Sequence, residues 1–127
     1  MIFDRENRSL NESETKSLLE KLRTFSNLKT LTSDDLYHAC DIILNIENNI
    51  TGRFAGDIYD YVFLYWMVRH SCRRNKSLGI EEAVVLEIGT LFGASVILIN
   101  QAIIDEGTTP NITVMDPLDG YYMHSGK

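Results

Sequence analysis

The sequence predicts an α/β fold in which helices precede a single β-α-β unit. Three observations carry this prediction: helical spacing of apolar residues before residue 79, a short β-branched run at Ala83–Ile88, and a helix and second strand directly after it. A chain of 127 residues with 44% hydrophobic and 24% charged residues has the composition of an ordinary globular protein. We divide it into an N-terminal helical segment, residues 1–79, and a β-α-β segment, residues 80–127.

The first helix is predicted in "NESETKSLLEKLRTF". Leu18, Leu22 and Phe25 recur on one helical face, and Asn11 and Glu14 have the spacing of a cap and its third helical residue.

The second helix is predicted to start at Thr32 or Ser33, which can cap it. Acidic residues in its first turn favour the positive end of the helix dipole, and its apolar residues have helical spacing: Leu36, Ala39, Ile43, Ile46 and Ile50.

The third helix is predicted in "DIYDYVFLYWMVRHSCRRNK", and its last turns are basic. Cations there offset the negative end of the helix dipole. This is the simpler explanation of why four basic residues cluster near the end of the helix: Arg69, Arg73, Arg74 and Lys76. Binding of an anionic substrate or partner is the alternative explanation.

The second segment begins with "AVVLEI", which we expect to form a strand buried on both faces. A helix is predicted from Gly93 to Ile104, with Gly107 as its C-terminal cap. "TTPN" is predicted to be a loop, and "ITVMD" (Ile112–Asp116) a second strand, parallel to the first.

Several functional classes are disfavoured by composition. The formal net charge of −6 gives no general affinity for nucleic acid. The apolar run "YVFLYWMV" is shorter than the roughly 20 residues needed to span a bilayer. Cys40 and Cys72 are far apart and no export signal precedes them, so we expect two buried thiols in a cytoplasmic protein.

The candidate site lies where the first strand turns into the next helix. Such a turn aims the free N–H groups of the helix at the crevice above the sheet, and a ligand reaches them only past small residues. Gly89 and Gly93 supply these, and Gly93 is also expected to let the helix pack closely on the strand. Asp116 ends the second strand beside the same crevice, where it can accept hydrogen bonds from a ribose diol. These residues predict a nucleoside-cofactor site.

Glu87 indicates which cofactor. The dinucleotide fingerprint has a middle glycine that the pattern Glu87-x-Gly89-x-x-x-Gly93-x-Ser95 lacks. A carboxylate before the first glycine would repel a pyrophosphate, whereas S-adenosylmethionine carries an ammonium and a sulfonium group. The pattern therefore favours S-adenosylmethionine, with a dinucleotide-dependent enzyme as the weaker alternative.

The same residues resemble a known family. "VVLEIGTLFGAS" resembles the first motif of class I S-adenosylmethionine-dependent methyltransferases, in the form found in the catechol and macrocin O-methyltransferase-like branches. "ITVMDPLDGYY" resembles the strand that carries the second motif in these enzymes. The resemblance extends from Ala83 to about Tyr122, and it implies that the β-α-β segment is the first part of a Rossmann-like methyltransferase sheet.

The resemblance also implies roles for individual residues. Glu87 would hold the amino end of the methionine, and Ser95 would hydrogen-bond its carboxylate. The backbone at Gly89, Thr90 and Gly93 would line the cofactor, and Asp116 would bind the ribose hydroxyls. The acceptor would be a small molecule or a sugar with a reactive hydroxyl. No catalytic residue and no metal ligand is assigned.

The sheet of that family has more strands than the two predicted here, which leaves one edge of "AVVLEI" without a partner. Three interpretations stay open. The chain is an N-terminal portion of a methyltransferase whose missing C-terminal segment completes the sheet; or it is a non-catalytic cofactor-binding module that completes its sheet as a homodimer or with another subunit; or it is a helical interaction domain whose β-α-β part binds nothing.

Overall fold

The computed structural model describes residues 10–49, 54, 57–89 and 93–115. Over these residues the protein is a mixed α/β structure with four α-helices and one parallel two-stranded sheet, and a short 3-10 helix follows the first α-helix. The elements are α1 (Glu12–Leu22), α2 (Ser33–Asn49), α3 (Ile58–Ser77), β1 (Glu82–Ile88), α4 (Ala94–Asp105) and β2 (Thr109–Met115).

The starts of α1 and α3 are set by side-chain caps. The Asn11 side chain accepts a hydrogen bond from the Glu14 backbone N–H at 2.8 Å, which confirms the predicted cap of α1. Asp57 caps α3 in the same way through the Tyr59 N–H, also at 2.8 Å. The Asn11 N–H donates to the Tyr59 hydroxyl at 2.7 Å, so the starts of α1 and α3 lie side by side.

Two apolar cores hold the elements together. The larger one lies among α1, α2, α3 and the inner face of α4, and its fully buried side chains include Leu22, Leu28, Leu36, Ile43, Val62, Tyr65 and Leu98. The smaller one lies between the sheet and the helices above it and contains Cys72, Ala83, Ile99 and Ile103. The helical core is therefore the main source of stability, and the sheet is attached to it through the smaller cluster.

The prediction that β1 is buried on both faces is wrong. Ala83 is buried, but Val84 and Ile88, whose side chains point to the opposite face, are 77% and 74% exposed. The reason is that α3 and α4 pack on one face of the sheet, and no described element covers the other. We call that uncovered side, with Val84, Leu86, Ile88 and Met115, the open face.

The predicted "TTPN" loop is also wrong, because β2 already begins at Thr109. The Thr109 N–H donates to the Glu81 carbonyl at 2.9 Å, so odd-numbered residues of β2 direct their backbone groups at β1. Pro110, an even-numbered residue, directs its nitrogen at the free edge. A proline there removes no hydrogen bond of the ladder, which is why the strand tolerates it.

The basic cluster of α3 contacts the end of α4. Arg69 Nε and Arg73 Nε both contact Glu106 Oε1, at 2.8 and 2.7 Å, and Lys76 Nζ donates to the Glu106 carbonyl. Three of the four basic residues are therefore engaged within the molecule. These side chains therefore have a specific partner, Glu106, in addition to the negative end of the helix dipole.

Both cysteines are buried and unbridged, as predicted. Burial raises the pKa of the Cys72 thiol, which keeps it protonated and unreactive. None of the helices in the described part of the chain combines the length and the apolar character that crossing a membrane requires.

Candidate functional site

The candidate site lies at the carboxyl end of the sheet. In the parallel register Glu87 pairs with Val114 and Ile88 with Met115, so the two strands end side by side. The Gly89 N–H donates to the Met115 carbonyl at 2.8 Å and extends the ladder one residue beyond β1. The helix α4 begins five residues later at Ala94, with Gly93 as its N-terminal cap. Gly89, the start of α4 and the end of β2 therefore meet at the carboxyl end of the sheet.

Glu87 is the central side chain of the candidate site. It is half-buried on the helix-covered face of β1, and the Ser95 hydroxyl donates a hydrogen bond to its Oε1. Its second oxygen, Oε2, is buried and has no hydrogen-bond partner among the described residues. A buried carboxylate oxygen without a donor is destabilising, by about 1–3 kcal/mol. The site thus offers an acceptor to a ligand that carries a donor or a positive charge.

The two glycines have backbone conformations that other residues rarely adopt. The φ angles of Gly89 and Gly93 are 79° and 89°. A Cβ added at Gly93 would meet no atom within 4 Å, so close packing of α4 on β1 does not require this glycine. The expectation that Gly93 permits close packing is therefore wrong, and its backbone conformation is the reason for a glycine there.

The start of α4 differs from the starts of α1 and α3. Gly93 has no side chain and no described side chain caps the first turn of α4, whereas Asn11 and Asp57 cap α1 and α3. The N–H groups of a first helical turn have no acceptor within the helix and carry its positive dipole end. An acceptor or an anionic group of a ligand would be stabilised there.

The structure brings four of the six predicted site residues together: Glu87, Gly89, Gly93 and Ser95. Thr90 and Asp116 lie outside the described residues. The Ser95 hydroxyl proton is used in the bond to Glu87, an arrangement that was not predicted. The only sequence feature that could have indicated this hydrogen bond is the spacing, which puts Glu87 near the end of a strand and Ser95 in the first turn of the following helix.

The described residues contain no group of three or more His, Cys, Asp and Glu side chains arranged to hold a metal ion. Comparison of the chain with protein-family models, with curated proteins and with solved structures finds no match.

The charges of this arrangement are complementary to those of an amino acid, which is also the end group of S-adenosylmethionine. That end carries an ammonium group, which can donate to Glu87 Oε2, and a carboxylate, which can accept from the N–H groups of α4. It fits a pyrophosphate less well, since Glu87 is an acid next to the place where the anion would lie.

Proposed function

We propose that this chain forms the cofactor-binding part of an S-adenosylmethionine-dependent methyltransferase with a Rossmann-like sheet. The observation that carries the proposal is the buried Oε2 of Glu87 beside the start of α4. Among the described residues this oxygen has no hydrogen-bond partner and the helix start has no side-chain cap. A buried acceptor next to first-turn N–H groups that no described side chain caps matches a zwitterion better than it matches a simple anion or cation.

Each residue has a defined role in this proposal. Glu87 accepts a hydrogen bond from the ammonium group of the methionine, and Ser95 holds the Glu87 carboxylate in place. The methionine carboxylate binds the backbone at the start of α4 rather than the Ser95 hydroxyl, because the proton of that hydroxyl is already donated. Gly89, Thr90 and Gly93 line the cofactor, and Asp116 binds the ribose.

S-adenosylmethionine, when bound, supplies a methyl group on a positively charged sulfur. An acceptor hydroxyl of a small molecule or sugar would attack it in line, and the protein would contribute mainly by positioning. We assign no catalytic base. The proposal includes a cytoplasmic setting, which the two unbridged cysteines support.

Calorimetric titration with S-adenosylhomocysteine tests the cofactor site. We expect saturable binding by the chain and a loss of roughly 10-fold or more in affinity for Glu87→Gln, because the charge-assisted hydrogen bond to the ammonium group is lost. Asp116→Ala should also weaken binding, since it removes the ribose acceptor.

Glu81→Gln is the matched control, because it removes the same charge from an exposed residue at the opposite end of β1. Its affinity should equal that of the unmodified chain. Equal affinity of the Glu87→Gln and Glu81→Gln variants would contradict the proposed role of Glu87. A folded chain that does not bind S-adenosylhomocysteine would overturn the proposal as a whole.

A non-catalytic cofactor-binding module is the second candidate, and the uncovered sheet favours it. A two-stranded sheet with one exposed apolar face is marginal unless another element packs on it. Such a module would bind S-adenosylhomocysteine without transferring a methyl group from S-adenosylmethionine to any acceptor. A helical interaction domain would bind neither nucleoside.

A further inference from the structure

A groove lies between α1 and α3, and we call it the α1–α3 groove. It has a volume of about 440 Å³, and its lining includes three residues of each helix: Glu14, Leu18, Lys21, Tyr59, Asp60 and Phe63. None of them belongs to the candidate functional site at the end of the sheet. The groove is therefore a second place where a ligand could bind.

The two helices that form the groove run in the same direction. At their starts the Asn11 N–H donates to the Tyr59 hydroxyl at 2.7 Å. Further along the chain from each start, the rings of Phe25 and His70 lie with their centres 4.9 Å apart. The N-terminal ends of α1 and α3 therefore lie at the same end of the groove.

This parallel arrangement gives the groove an acidic end and a basic end. Glu14 and Asp60 lie in the first turns of their helices, where the helix dipole favours anions. Lys21 lies in the last turn of α1, about 10 Å from Glu14 along the helix axis. Leu18, which is buried, and Phe63, which is 36% exposed, lie between the two ends.

The charges at both ends are available to a ligand. Within the part of the chain that the structure describes, Glu14, Asp60 and Lys21 take part in no ion pair. Tyr59 adds no further charge to the acidic end. Burial and the neighbouring Glu14 carboxylate raise the pKa of Tyr59 to about 12, so its hydroxyl stays protonated.

These features define the chemistry of a complementary ligand. An ammonium group carries three donors and is attracted by the two carboxylates at the acidic end. A methylene chain is stabilised by burial against Leu18 and Phe63, and a carboxylate is attracted by Lys21. A diamine would bring a second cation to Lys21, and a dicarboxylate would bring an anion to Glu14, so both are disfavoured.

We propose that the α1–α3 groove binds an ω-amino acid, a linear aliphatic molecule with an ammonium group at one end and a carboxylate at the other. The ammonium group binds Glu14 and Asp60, the methylene chain lies over Leu18 and Phe63, and the carboxylate binds Lys21. This site goes beyond the proposed function and does not depend on it, because the two sites share no residue.

Titration with 6-aminohexanoate, followed by nuclear magnetic resonance, tests the groove. The six chain bonds of this molecule span roughly 7 Å when extended, so it reaches most of the way between the two ends. We expect saturable shifts of the Leu18 and Phe63 amides, with half-saturation at millimolar concentrations because exposed ion pairs are weak. Absence of saturable shifts would overturn the proposal.

Hexylamine and hexanoate test whether both charges of the ligand are recognised. Each lacks one charged group of 6-aminohexanoate and should bind at least ~3-fold more weakly. Equal affinities of the three molecules would show that only the apolar chain is bound, and the proposal would then be wrong.

Charge-removing variants assign each end of the ligand to its residue. Lys21→Gln should weaken 6-aminohexanoate binding at least ~3-fold without weakening hexylamine binding, since hexylamine has no carboxylate. Asp60→Asn should weaken the binding of both molecules. Lys16→Gln and Glu20→Gln are the matched controls, because both residues are exposed on α1 outside the groove. Losses in the controls equal to those in the groove variants would reflect net charge alone and would overturn the proposal.

Discussion

Gly93 adopts a φ of 89° at the start of α4, where a side chain would meet open space but the backbone would be strained. Glu87, six residues earlier, has one oxygen bonded to Ser95 and the other buried without a described partner. Neither the left-handed backbone of Gly93 nor the buried Glu87 oxygen without a described partner is favoured by stability alone. Such departures are common at binding sites, where a ligand supplies the missing interaction.

Replacing Gly93 with alanine should lower the free energy of unfolding by about 1 kcal/mol, because an L-residue must adopt a left-handed backbone conformation. Urea unfolding measures this loss. Gly79→Ala is the control for backbone strain, since Gly79 has a φ of 79° and equally open surroundings. The two losses should agree; an unchanged stability in Gly93→Ala would show that the start of α4 can adopt another conformation.

At the scale of elements, α3 and α4 are joined by polar contacts at the C-terminal end of α4. Arg69 and Arg73 share one oxygen of Glu106, and the Tyr65 hydroxyl donates to Asp105 at 2.5 Å. Burial raises the pKa of Tyr65, so this hydroxyl remains a donor across the ordinary pH range. The Arg69 guanidinium also lies 4.6 Å from the centre of the Trp66 ring. These contacts fix the helix pair on which the smaller core and the sheet depend.

Glu106→Gln should destabilise the protein by about 2 kcal/mol, because two half-buried guanidinium groups lose their shared anion. The Glu106 side chain is only 10% exposed, so solvent compensates little for the loss. Chemical denaturation monitored by circular dichroism provides the measurement. Arg74→Ala serves as control: its side chain is exposed, and its removal should change stability by less than about 0.5 kcal/mol. Similar losses in both variants would argue against a specific role of Glu106.

At the scale of the whole molecule, stability is unevenly distributed. The helices share the larger core, whereas the sheet is held by the small cluster around Cys72 and Ile103 and has an exposed apolar face. A two-stranded sheet of this kind opens more readily than a helical core. The candidate site lies at the end of this sheet, so its order depends on the least stable part of the fold.

Amide hydrogen exchange should therefore show at least ~10-fold lower protection for Val85 and Glu87, which face β2, than for Val62 and Tyr65 in α3. Addition of S-adenosylhomocysteine should raise the protection of the strand amides and leave the α3 amides little changed. Equal protection in strands and helices without ligand would mean that the sheet and the helical core unfold as one unit.

The local features of this protein were readable from its sequence. The cap at Asn11, the apolar spacing of the helices, the β-α-β order and the glycines beside the first strand depend on residues a few positions apart, whose interactions recur in any protein.

The tertiary structure decided the features that involve residues distant in the chain. It placed Glu106 against Arg69 and Arg73, which lie more than 30 residues earlier. The sequence had left two explanations of this basic cluster open, the helix dipole and an anionic ligand, and the structure shows that Glu106 contacts the cluster within the molecule. It also covered one face of β1 and left the other exposed, although "AVVLEI" has apolar residues on both. The physical reason is that burial and ion pairing depend on which elements pack against each other in space. The spacing of residues within one element does not determine that packing.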